Sequence, residues 1–104
     1  NETLALFGKP DISIAKISFS AFYMTRLEWI LRKLEIETLV FVGIATNGGV
    51  ETSVRDAHCR DFNAIVLTDG CATTSQEEHD AALCSMRVVA RLMTCDELIE
   101  RIEG

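Results

Sequence analysis

From Asp11 to Ile17 apolar and polar positions alternate: Ile12, Ile14 and Lys16 share one side, Ser13 and Ala15 the other, which is the period of a strand. Ser18 to Phe22 reads as a loop, after which Thr25 is placed to cap a helix with Leu27, Ile30, Leu31 and Leu34 on one face. Thr38 to Ile44 is a continuous apolar, β-branched run, as expected of a strand covered on both faces. Val50, Val54 and Ala57 give a second helix its buried stripe, and Asn63 to Thr68 reads as a second buried strand. Ser75-Gln76-Glu77-Glu78 is a capping box opening a helix with Leu83, Met86 and Ala90 inward. Ala90 to Thr94 is a short strand. A second box, Thr94-Cys95-Asp96-Glu97, opens a last helix with Leu98, Ile99 and Ile102 inward. Regular alternation of strand and helix with short connections predicts right-handed βαβ units, a parallel sheet and an α/β fold.

In such sheets ligands bind beyond the carboxyl ends of the strands. Lys16 to Phe22, Ala45 to Gly49, and Asp69 to Thr74 all fall there and are expected to converge. The middle segment carries the sharpest signal. A strand runs into a turn with Gly48 and Gly49, and the turn opens into a helix, so backbone N–H groups aim at whatever sits above the sheet edge. Gly43, Gly48 and Gly49 lack the dinucleotide spacing Gly-x-Gly-x-x-Gly. A phosphate loop fails too, because Gly49 and Val50 stand where lysine and a hydroxyl residue are needed. The nucleophile elbow Gly-x-Ser-x-Gly is absent. The plain alternative is a glycine pair that only eases a tight turn. Lys16 likewise has two readings: its chain snorkels to solvent, or its parity with Ile12 and Ile14 carries it inward to polarise a substrate.

At 104 residues and 48% apolar, the chain is sized for one domain spanning residues 1–104 with one core. A formal net charge of −6 argues against nucleic acid or anionic membrane as partner. The longest apolar stretch, Leu39 to Ala45, is too short to span a bilayer, and no signal-peptide pattern follows Asn1, so a cytoplasmic protein is expected. Cys59, Cys71, Cys84 and Cys95 show no Cys-x-x-Cys or Cys-His ladder; they are expected to be reduced core fillers, with no metal and no cofactor bound.

Several segments together are similar to the isochorismatase-like (cysteine hydrolase) family. Asp-Ile-Ser-Ile-Ala-Lys16 followed by Ser-Phe-Ser-Ala-Phe22 resembles the strand that brings in the catalytic lysine and the Ser-x-Phe after it. Leu27 to Ile36 resembles the next helix. Gly43-Ile-Ala-Thr-Asn47 and Val50-Glu-x-x-x-Arg55-Asp-Ala57 resemble the central motif, and Leu67-Thr-Asp69 with Ser75-x-Glu-Glu-His79 the following strand and helix. The likeness runs in order from Asp11 to about Leu98. It implies a three-layer α/β/α, Rossmann-like sandwich, a cis peptide at Ile44–Ala45, and a catalytic aspartate, lysine and cysteine.

Lys16 matches the family lysine, and Gly49 stands where the cysteine belongs. The family aspartate lies on an earlier strand that Asn1 to Pro10 is too short to supply, so the chain is expected to be the C-terminal part of the domain. Amide-cleaving members attack through the thiolate, which glycine lacks. Isochorismatases proper also carry glycine here and cleave a vinyl ether by protonation and water attack. The resemblance therefore implies a hydrolase acting on a small metabolite without a cysteine nucleophile, or an inactive or truncated member that binds a ligand or partner. In the active reading Lys16 stabilises developing negative charge and the amides of Gly48 and Gly49 bind the oxyanion. Thr46 and Asn47 orient the substrate, and Phe19 and Phe22 wall the pocket. Relatives are commonly oligomeric. A parallel sheet this small is also expected to leave an edge open and apolar surface bare around the first strand, which together predict a homo-oligomer.

Overall fold

The computed structural model describes residues 2–4 and 12–103; Asp11, Gly8 and Pro10 lie outside them. Its elements are β1 (Glu2–Leu4), β2 (Ile12–Ile14), α1 (Leu27–Lys33), β3 (Thr38–Ile44), a wide turn (Thr46–Val50) that continues into α2 (Glu51–Cys59), β4 (Asn63–Ala72), α3 (Gln76–Met86), β5 (Arg91–Met93) and α4 (Cys95–Glu103). The parallel sheet has the order β3-β4-β5. Helix and strand alternate through it as the hydrophobic periods predict, and the fold is α/β.

The first strand departs from expectation. Ile12–Ile14 forms a ladder antiparallel to Glu2–Leu4, with Glu2 opposite Ile14, and among the described residues it is no part of the parallel sheet. It is only three residues long, and Ala15 and Lys16 lie beyond it. Ile14 still reaches the core, packing with Phe22, Leu27, Leu31, Ala57 and Phe62. A second cluster unites Val50, Val54, Ala64, Val66, Ala82 and Met86 between the sheet and the helices α2 and α3. Leu67, on the opposite parity of β4, is buried as well, and α4 packs against that strand.

Cover on both faces holds for β4 but not for β3. Leu39 and Phe41 pack inward, whereas Val40, Val42 and Ile44 are 45%, 54% and 84% exposed. Among the described residues β3 is also an edge of the sheet, with bare apolar residues on its outer side. Ile17 and Phe19, just past β2, are exposed too. Of the three apolar positions expected inward in α4, Leu98 is half-buried, while Ile99 and Ile102 face out. Both capping boxes form at their serine or threonine: Ser75 Oγ accepts from the Glu78 N–H at 3.1 Å, and Thr94 Oγ1 from the Glu97 N–H at 3.2 Å. Thr25 Oγ1 accepts from the Leu27 N–H at 3.3 Å, at the start of α1.

The strand β4 runs four residues beyond the expected Thr68 and carries the carboxyl end of the sheet. Phe41 pairs with Val66, but the next pair is Gly43 with Cys71, so the intervening residues of β4 bulge away from β3. Gly70 sits in that bulge, where an added Cβ would lie 2.6 Å from Val42 Cγ1 and 3.2 Å from Leu67 Cβ. Valine is stiff at χ1 and gives little way. Gly70→Ala is therefore expected to cost about 1–3 kcal/mol in thermal or urea unfolding; an unchanged midpoint would contradict this packing.

Candidate functional site

The turn after β3 is built by the backbone. The Ile44–Ala45 peptide is cis. The carbonyl of Ala45 then accepts from both the Gly48 N–H at 3.1 Å and the Val50 N–H at 3.2 Å, which widens the turn before α2 begins. Gly48 itself is non-helical, at φ −120° and ψ −106°. One expectation is corrected here: the Gly48 N–H is committed to Ala45 and does not face a ligand.

Opposite the turn stands Lys16. Its Nζ donates to the carbonyl of Phe19 at 2.8 Å. A Cβ placed on Gly49 would lie 3.2 Å from that Nζ and 3.2 Å from the Phe19 carbonyl oxygen. The ammonium thus meets the turn at Gly49, while Lys16 itself stays partly exposed.

The loop that carries Lys16 and Phe19 is fastened to α2. Ser20 Oγ, buried, donates to the Asp56 carboxylate and accepts from the Phe22 N–H at 3.1 Å, while Ser53 Oγ accepts from the Ala21 N–H at 2.9 Å. Buried hydroxyls need such partners, so these bonds tie the loop's path to the helix that follows the glycine turn. The composition of the Ser-x-Phe and Arg-Asp-Ala segments gave no sign that they meet.

The third segment converges as expected through Thr73, and His79 on α3 joins it. Thr73 Oγ1 donates to Asn47 Oδ1 at 2.8 Å. Thr46, completely buried, places Oγ1 2.8 Å from His79 Nδ1 on α3. Thr46 therefore anchors the turn instead of orienting a substrate. Phe22 is corrected in the same way. It is 4% exposed and packs on Phe62 at 5.9 Å between ring centroids, so it belongs to the core and not to a pocket wall. Phe19 is exposed beside Lys16. His79 was missed as a contact residue, although it shares an i, i+3, i+7 stripe with Ala82 and Met86, both buried.

Neither Asp69 nor Cys71 replaces the missing thiol chemistry. The Asp69 carboxylate accepts from the Cys95 N–H at 2.9 Å; the Cys95 thiol and then this amide hold its pKa below the ordinary value, so it serves α4. Burial pushes the Cys71 thiol up, leaving it protonated and poorly nucleophilic. All four cysteines are free, and Cys59 and Cys84 are exposed and not core fillers. Iodoacetamide is expected to label Cys84 at least several-fold faster than Cys71 in site-resolved mass spectrometry, and equal rates would contradict the burial. Among the described residues no three His, Cys, Asp or Glu side chains are grouped to hold a metal ion, and no helix is long and apolar enough to cross a membrane.

A glycine turn at the end of a parallel strand, facing a lysine from a separate segment, is the arrangement that the motif resemblance implies. A family profile for the isochorismatase domain matches residues 3–97. The chain belongs to the isochorismatase family. It is 37% identical over 93 residues to the isochorismatase family protein YecD of Escherichia coli O157:H7, covering 88% of this chain and 50% of that protein. It is 34% identical over 96 residues to Nicotinamidase 3 of Arabidopsis thaliana, covering 91% and 48% respectively. The crystal structure of an isochorismatase-like hydrolase from Alkaliphilus metalliredigens superposes with a TM-score of 0.83 at 31% identity, over 85% of this chain and 48% of that one. This isochorismatase-family chain thus spans about half the length of the curated relatives it matches.

Proposed function

We propose that the protein is an isochorismatase-family hydrolase that cleaves a C–O bond of a small vinyl ether, or a C–N bond of a small amide, without a cysteine nucleophile. The observation that carries this reading is the approach of Lys16 Nζ to Gly49 across a gap where a Cβ would already touch. A lysine ammonium held there stabilises negative charge that develops on an amide's carbonyl oxygen; towards a vinyl ether, whose protonation develops positive charge, it holds an anionic group of the substrate instead. Asn47, held by Thr73, lies on the same turn, and Phe19, whose carbonyl accepts from Lys16, is exposed.

Vinyl-ether hydrolysis suits a site without a thiol. Its enol carbon takes a proton, water adds to the resulting oxocarbenium carbon, and the hemiketal collapses to a carbonyl compound and an alcohol, with no covalent enzyme intermediate. We assign the proton donor to the aspartate that the family resemblance implies, in the half of the domain beyond this segment. The name nicotinamidase borne by one relative keeps small amides in the substrate class. The reading takes the protein as a cytoplasmic homo-oligomer, and the bare side of β3 at Val40, Val42 and Ile44 supports association.

Glycine at position 49 also favours a second reading, a family member that binds a ligand or partner without turnover. A panel of small vinyl ethers and amides assayed with the intact protein separates the two. Hydrolysis of one chemical class supports the enzyme, and no turnover across the panel supports the binder.

A further inference from the structure

We infer that His79 is a positioning residue for the glycine turn, holding Gly49 at its distance from Lys16 through the hydroxyl of Thr46. Thr46 is completely buried and opens the turn, and its Oγ1 meets His79 Nδ1 at 2.8 Å. The root of that imidazole is fixed. The backbone N–H of His79 donates to the Ser75 carbonyl at 3.1 Å, Ser75 Oγ caps the helix at the Glu78 N–H, and Ala82 and Met86 seat α3 in the core. The same connection also supplies Thr73, whose hydroxyl holds Asn47, the next residue of the turn. Across the gap, the Ser20–Asp56 and Ser53–Ala21 bonds set the loop carrying Phe19, whose carbonyl oxygen accepts from Lys16. The spacing between Lys16 and Gly49 is thus set from two sides, and on the turn side a buried hydroxyl–imidazole bond sets it. A misplacement of the order of an ångström at a reacting centre is enough to lower activity strongly.

The inference rests on the proposed site, but its test needs no turnover. Gly49→Cys in the intact protein places a thiol beside Lys16 Nζ, where an ammonium favours the thiolate and speeds alkylation. Its iodoacetamide rate is read by site-resolved mass spectrometry, with Cys59 and Cys84 as internal references. Adding His79→Leu is expected to slow the introduced thiol about tenfold, the equivalent of one pKa unit of lost thiolate, with both references within about twofold. His79→Asn, whose side-chain amide reaches the position of Nδ1, restores the rate. Thr46→Val, which keeps the shape and removes the hydroxyl, reproduces the slowing and adds nothing to His79→Leu. It carries the test alone if His79→Leu does not fold. An unchanged rate in these variants, an equal change at all three thiols, or no rescue by His79→Asn overturns the inference. If the rates behave as expected and the parent protein hydrolyses nothing, the hydrolase reading falls and the positioning role stands.

Discussion

Lys16→Met is expected to lower kcat/KM for the preferred substrate by about 10²–10³-fold, the usual loss when one preorganised group facing developing charge is removed. Methionine retains the length and the apolar stem and deletes the ammonium, so packing beside Phe19 and Gly49 is largely kept. On an amide the loss should fall mainly on kcat, because Lys16 acts on charge that appears in the transition state; on an anionic vinyl ether it should raise KM as well, because there Lys16 holds the ground-state substrate. The thermal midpoint should move little, since Lys16 is half-exposed and its bond to the Phe19 carbonyl lies at the surface. Steady-state kinetics beside a melting curve checks both. A fall in kcat/KM with an equal fall in stability would make Lys16 a structural residue, and no fall at all would remove it from the site.

Met86→Ala is expected to be the most damaging single truncation for stability, at about 2–5 kcal/mol. Met86 is completely buried at the end of α3 and packs in one cluster with Val50 at the end of the glycine turn, Val54 on α2, and Ala64 and Val66 on β4. Its loss opens a cavity where two helices meet the sheet, and that wall cannot collapse without moving the turn. Urea unfolding should show a lower midpoint with a similar slope. Met86→Leu, close in volume, should recover most of the loss. A truncation costing under about 1 kcal/mol would mean that the second cluster is looser than its burial indicates.

Elements whose partners lie close in sequence were legible before the structure was known. The 3.6-residue stripes of α1, α2 and α3 and the apolar runs of β3 and β4 follow from side chains that pack on the next element along the chain. Ser75 and Thr94 announce their helices because a cap is a local bond. Lys16 shares parity with the buried Ile14, but the strand ends at Ile14, so its approach to Gly49 comes from the path of the following loop and not from the period of two.

Contacts set by tertiary packing were not legible. Phe22 and Phe19 look alike in sequence, yet the bonds of Ser20 to Asp56 and of Ala21 to Ser53 turn one ring into the core and leave the other exposed. Thr46 reads as a polar turn residue, and only the position of α3 makes it a buried anchor for His79. Gly48 offers an amide on paper, but the width of the turn commits that amide to Ala45. Val40, Val42 and Ile44 carry the pattern of a doubly covered strand, and among the described residues nothing lies over them.

The central claim is hydrolysis at the Lys16–Gly49 site without a thiol. The most direct measurement is kcat/KM on the best substrate before and after exhaustive alkylation under mild denaturant and refolding, with complete labelling of Cys59, Cys71, Cys84 and Cys95 verified by mass spectrometry. The account predicts turnover retained within about threefold, since among the described residues no sulfur lies within 4 Å of the Cβ position at Gly49 and thiolate chemistry needs one. Loss of turnover on alkylation, with the fold intact by circular dichroism, would place a cysteine in the reaction and contradict the account.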